Sequence, residues 1–257
     1  MKKSTAVPVA ATVLAVSALL LLPPRGEYAA AQTPPAQTPP AQTPPAKSAP
    51  LYISAVDLQI APGSMNKFLA DLQPDAAALM QESGAREFDS TVTQKDPNHI
   101  FIFEVYGNVD AYNAHQKSAA YLKFIGLTMM MYKAYNIRPF SSVSMNLNTA
   151  AQPGTGPFFV NEVELDVAPS QFDAFVTATK DNAAAALKDP GVREINIAVS
   201  QNDPHHLLSF EVYDNAAALA AHEATDHFKA YQAATADMVS NRAVTPLTSV
   251  QTMTKPQ

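Results

Sequence analysis

Residues 84–106 read GAREFDSTVTQKDPNHIFIFEVY, and residues 191–213 read GVREINIAVSQNDPHHLLSFEVY. Gly84 answers Gly191, Arg86-Glu87 answers Arg193-Glu194, and Phe103-Glu104-Val105-Tyr106 answers Phe210-Glu211-Val212-Tyr213. The match extends without a gap over Leu51 to Val143 against Phe158 to Val250, with about 30 of roughly 93 positions identical. A self-match of this length is one small domain present twice, not a solenoid of short units. It divides the chain into a first domain at 51–148, a connector at 149–157 rich in Gly, Pro and small polar residues, and a second domain at 158–252.

Each copy reads β-α-β-β-α-β. Val56, Leu58 and Ile60 alternate with polar residues, as on a half-buried strand. Pro62 suits the first turn of a helix, which carries Phe68, Leu69 and Leu72 and stops before Gly84, where a left-handed residue can end it. Arg86–Gln94 and His99–Tyr106 form two strands joined by the Asp96-Pro97-Asn98 turn. Asn108 caps a second helix with Ala111, Ala114, Ser118, Tyr121 and Ile125 on one stripe, and a last strand covers about Ile137 to Leu147. This order is the ferredoxin-like split unit, an α+β fold. The third strand is apolar on both faces, so one face can pack the domain's own helices while the other needs a second sheet or a ligand cavity.

Net charge is −6 and no basic run follows Met1-Lys2-Lys3, which argues against a nucleic-acid partner. The absence of cysteine excludes disulfides, thiol nucleophiles, thiolate metal sites and a lipoprotein anchor. Lys2-Lys3, the apolar stretch Ala6–Leu22 and Ala29-Ala30-Ala31 together read as a signal peptide over 1–31, implying a periplasmic or secreted protein. Membrane contact is then expected only through this segment, if it stays uncleaved. Three copies of a Gln-Thr-Pro-Pro-Ala unit make 32–50 a proline-rich disordered spacer.

These residues resemble the antibiotic biosynthesis monooxygenase family, which includes quinol monooxygenases. The resemblance rests on the Asp-Pro turn, the Glu-x-aromatic strand end, and a helical His, small hydroxyl, His, aromatic series. The second copy has His222, Thr225, His227 and Phe228; the first has His115, Ser118 and Tyr121, with Ala120 in place of the second His. The resemblance implies two ferredoxin-like repeats pairing as an intramolecular dimeric α+β barrel, a pseudo-dimer in one chain. It also implies an oxygenase needing no cofactor, whose electron-rich substrate itself reduces dioxygen. The family's haem-degrading branch relies on a tryptophan, and this chain has none.

The candidate catalytic residues are His222, His115, His227, Glu211 and Glu104, with Tyr213, Tyr106, Phe228 and Tyr121 as substrate contacts. His115 and His222 are either satisfied structural histidines or proton acceptors from an acidic hydroxyl. Glu104 and Glu211 share a strand face with Tyr106 and Tyr213; they line a pocket or pair with Arg86 and Arg193. His222 and His227 are five apart, about 140° around one helix, so no metal site is expected. His205-His206 sits in a turn. Met129-Met130-Met131 reads as adaptable core. Because only the second copy keeps the full series, catalysis is expected to depend more on that copy. The functional expectation is a monooxygenase acting on a small aromatic, quinol-like or enolisable molecule in the cell envelope. The alternative is a non-catalytic binding or stress-response module using the same pocket.

Overall fold

The computed structural model describes residues 49–147 and 156–255. The signal segment, most of the spacer and most of the connector lie outside the described residues.

The first repeat contains β1 (Tyr52–Ile60), α1 (Met65–Leu79), β2 (Ala85–Thr93), β3 (His99–Tyr106), α2 (Val109–His115), α3 (Ala119–Thr128) and β4 (Tyr132–Leu147). The second contains β5 (Phe159–Val167), α4 (Phe172–Ala186), β6 (Val192–Ser200), β7 (His206–Tyr213), α5 (Ala216–Glu223), α6 (Asp226–Thr235) and β8 (Val239–Thr254). Asp96 and Asp203 close their turns as the sequence implies, each accepting from the amide two residues on, at 2.8 and 2.9 Å. No helix among the described residues is long and apolar enough to cross a membrane.

Several local features depart from the sequence reading, and Pro62 lies in the turn before α1, not in its first turn. The single second helix is two: Asn108 caps α2, but Ser118 accepts from the Tyr121 amide at 3.1 Å and starts a new helix, as Thr225 does in the second repeat. Gly84 is not in the left-handed region; its place is set by Ala111, whose Cβ would lie 2.3 Å from any side-chain carbon there. Gly191 meets both conditions, with φ +82° and Ala218 Cβ at 2.6 Å. The methionine run is largely outside the core, with Met129 and Met130 55% and 88% exposed.

All eight strands close into one antiparallel barrel in the order β1-β3-β2-β8-β5-β7-β6-β4. Closure depends on the two sixteen-residue strands, which begin well before the position expected for them. The first part of β4 pairs with β1 and its end with β6 of the other repeat; β8 likewise pairs with β5 and then β2. The two-sided β3 is thereby explained. Phe101, Phe103 and Val105 enter the barrel with Phe210, Leu208 and Val212, and Phe103 stacks on Phe210 at 4.5 Å. The barrel interior is packed side chain. Burying each such phenylalanine contributes about 1.5–3 kcal/mol. Arg138 also joins the repeats, donating to Asp57 at 2.8 Å in its own repeat and to Glu162 at 2.9 Å in the other.

Candidate functional site

Two equivalent cavities lie between the sheet and the helices of each repeat, on the strand face opposite the barrel interior. The first measures about 630 Å³ and is walled by Glu104, Asp75, Tyr112, Tyr121, Phe124 and Tyr132 among others. The second measures about 390 Å³, with Glu211, His222, Phe228, Tyr231, Asn182 and Arg242 among its walls. The two are repeat equivalents of opposite character. Leu72, Ile102 and Ile125 in the first become Thr179, Ser209 and Gln232 in the second. The first is the aromatic, apolar chamber.

Glu104 and Glu211 reach their cavities because strand alternation turns them away from Phe103 and Phe210. Each accepts from a tyrosine hydroxyl two residues on: Tyr106 at 3.2 Å and Tyr213 at 2.9 Å. Ser209 adds a second bond to Glu211 at 2.9 Å. The ion pairs considered for these glutamates are not what holds them: Arg86 donates to the Ser83 and Ala85 carbonyls, and Arg193 pairs with Asp214. Burial pushes the Glu104 carboxyl up to about 7, against the opposing charge of His115. Burial also raises Glu211. Tyr106 and Tyr213 are fully buried behind these carboxyls and do not line either cavity, so they position the glutamates instead of meeting a ligand.

Both histidines are anchored by an acid at equivalent positions ahead of the glycines. His115 Nδ1 lies 3.1 Å from Glu82 and His222 Nδ1 lies 2.8 Å from Asp189. An ionised carboxylate there places the proton on Nδ1 and leaves Nε2 as the basic nitrogen. His222 lines its cavity. His115 does not; its Nε2 is buried without a hydrogen bond, 3.9 Å from Asp75 Oδ2. Asp75 does face the cavity, and burial raises its carboxyl to about 6. Of the aromatic contacts, Tyr121 and Phe228 line the cavities at equivalent positions.

His227 sits behind His222, bonded to the same Asp189 oxygen at 2.9 Å and to Asn182 at 3.0 Å. The expectation that His222 and His227 diverge assumed one continuous helix. The break at Thr225 puts them on α5 and α6, and they converge on Asp189. One ligand atom from each of the three lies within 4.8 Å of the others, close enough to hold a cation, although they satisfy one another as they stand. His206 opens β7 and pairs with Asp166 at 2.7 Å, away from both cavities.

Sequence reasoning missed Asp75, Glu82, Asp189 and Asn182. Acids at both Glu82 and Asp189 in an otherwise diverged helix end were a visible signal. Their link to histidines 33 residues further on belongs to the tertiary packing.

A closed α+β barrel built from two ferredoxin-like halves, each with a helix-covered cavity holding a buried glutamate, defines the class of dimeric α+β barrel proteins. The chain belongs to the antibiotic biosynthesis monooxygenase family, which matches it over residues 51–127 and again over 158–234. Among solved structures it resembles a proposed monooxygenase from Lactobacillus acidophilus NCFM at 18% identity and TM-score 0.73, covering 80% of this chain and 96% of that one. A proposed monooxygenase from Fusobacterium nucleatum is similar at 17% identity and TM-score 0.74, covering 80% and 95%. An anthrone oxidase-like protein aligns at 13% identity and TM-score 0.57, covering 82% and 95%. At these identities the likeness is one of fold. No curated protein matches the chain.

Proposed function

We propose that the protein is a cofactor-independent monooxygenase of the cell envelope acting on a small aromatic, quinol-like or enolisable molecule. The observation that carries this reading is Glu104. It is a buried carboxyl poised near neutrality on the wall of an aromatic chamber and held by the Tyr106 hydroxyl. A general base works best with a pKa near the working pH. Glu104 takes the proton of the substrate's acidic hydroxyl or enol, and the resulting anion is electron-rich in a water-poor site. That anion reduces dioxygen; one oxygen atom enters the substrate carbon as a carbonyl and the other leaves as water, the substrate supplying all four electrons. Asp75 accepts the second proton, and both carboxyls then hand their protons to the departing oxygen, which leaves as water; Tyr112 and Tyr121, whose hydroxyls burial pushes up to about 12, stay protonated donors to the ligand. In the smaller second cavity, His222 fixed by Asp189 serves the same purpose.

Oxygen uptake with a panel of quinols, naphthols and anthrones tests the assignment. Glu104→Gln should lower turnover about a hundredfold without lowering the melting temperature, because it removes a buried acid and keeps the shape. Undiminished uptake in both Glu104→Gln and His222→Ala would sink the proposed roles. The binding-module reading draws on His115, which is sealed from its cavity and held by Glu82 as a structural histidine would be. It gains if the panel binds and nothing is consumed.

The compartment rests on the sequence of residues 1–31. The secreted product should begin at Gln32 by mass spectrometry; full-length protein retained in the cytoplasm would overturn the assignment.

A further inference from the structure

Around the mouth of the first cavity the protein exposes more apolar surface than a solvated helix and strand require. Leu122 is 59% exposed, Met130 88% and Tyr135 69%, and Leu127, Met129 and Ile137 are also exposed. These residues follow one another along α3, the turn after it and the start of β4, and Met129, Tyr135 and Ile137 themselves line the cavity. From Gln116 to Ile137 there is no acidic residue, although the chain carries a net charge of −6. Lys117, Lys123 and Lys133 in this segment are exposed, and none forms a salt bridge among the described residues. The second repeat, on the same backbone, shows the contrast. Lys229, Asp237 and Arg242 replace Leu122, Met130 and Tyr135, and Glu223 and Asp226 add negative charge. The patch is therefore a property of this one face, not of the fold.

Exposed apolar side chains interspersed with exposed lysines match a surface that is apolar inside and anionic outside. A second copy of the chain is the poorer fit: a two-fold contact through this segment would set its lysines against one another with no acid of the segment to pair them. We propose that this face docks on an anionic lipid surface, with the first cavity opening toward the acyl region. The ligand of that cavity is then lipophilic and enters from the bilayer. This last point rests on the oxygenase reading; the docking does not.

Vesicle flotation with the processed chain, beginning at Gln32, decides it, using phosphatidylcholine alone and phosphatidylcholine containing about a third phosphatidylglycerol. The wild type should float with the anionic vesicles and be released in part by high salt. Leu122→Glu with Met130→Glu should weaken binding by roughly tenfold or more, whereas Lys229→Glu in the second repeat should change it little. Neither Leu122 nor Met130 lines the cavity, so oxygen uptake from a water-soluble substrate should be unchanged in the double variant. Binding that survives the double substitution would place the membrane contact elsewhere on the protein and would overturn the proposal. So would flotation with neither vesicle, or a concentration-dependent dimer that the same substitutions dissolve, which would give the face to a second copy. Vesicle binding without any turnover would contradict the oxygenase reading and leave the docking intact.

Discussion

Burial holds the Glu104 carboxyl at about 7, so the rate should climb as pH rises through neutrality and the base loses its proton. His115, Asp75 and Tyr106 are the titratable groups that tune it, with Tyr112 and Tyr121 facing it across the chamber. In Glu104→Gln that rising limb should vanish from the pH profile of kcat; its persistence would assign it to another group. The histidines should differ as well. His222→Ala should cost more turnover on substrates of the second cavity than His115→Ala costs on those of the first, since only His222 lines its cavity. Glu104 and Glu211 were legible in the sequence because they recur at one position of a repeat and alternate away from the aromatic face. Tyr106 and Tyr213 were legible as neighbours but not in role, because a tyrosine two residues along the same strand face can reach either ligand or carboxylate. Asp75 gave no signal: it is one polar residue on a helix, and only burial against His115 changes its chemistry.

At the scale of elements, the Asp-Pro turns and β1 came directly from local chemistry, since an Asx turn and a period of two need no tertiary information. The broken second helix did not. Its apolar stripe continues through Ser118 at helical spacing, and a serine can sit inside a helix or cap a new one. The hydroxyl's bond to the Tyr121 amide selects the second outcome. The consequence reaches the site, because the break at Thr225 lets His222 and His227 share Asp189. The glycines before β2 and β6 give a separate test. Gly84→Ala forces a methyl against Ala111 and should cost roughly 1–3 kcal/mol. Gly191→Ala adds the left-handed backbone, worth about 1–2 kcal/mol more, and should be the more damaging of the two in chemical denaturation. Equal costs would show that the backbone at Gly191 relaxes.

For the molecule as a whole, the sequence showed that two copies exist and that β3 needs a partner. It did not show that β4 and β8 run on across the seam, because their far halves carry no alternation strong enough to reveal a second pairing. Residues 49–147 made alone should therefore form a homodimer, each β4 completing the other copy's sheet; a stable monomer would count against a barrel closed by exchange. The seam also stores a pH dependence. Ligand atoms of Glu87, Asp89 and Glu194 lie within 4.8 Å of one another, and all three residues are buried. Burial, then the charge of Asp89 on Glu87, of Glu194 on Asp89 and of Glu87 on Glu194, pushes all three carboxyls well above the usual range. The folded chain thus holds protons that the unfolded chain releases, so stability falls as pH rises above about 4.5 toward the raised values. The melting temperature should be higher at pH 5 than at pH 8, with a flatter profile in Asp89→Asn, which copies Asn196 of the second repeat.

The oxygenase reading itself meets its most direct test in an oxygen electrode. The intact protein is supplied with the panel of anthrones, naphthols and quinols, with no flavin, haem or metal added. The account predicts uptake of one dioxygen per substrate oxidised, well above the rate in buffer and depressed about a hundredfold in Glu104→Gln. Compounds of the panel that bind and raise the melting temperature, yet consume oxygen no faster than in buffer, would contradict it and make the barrel a binding protein.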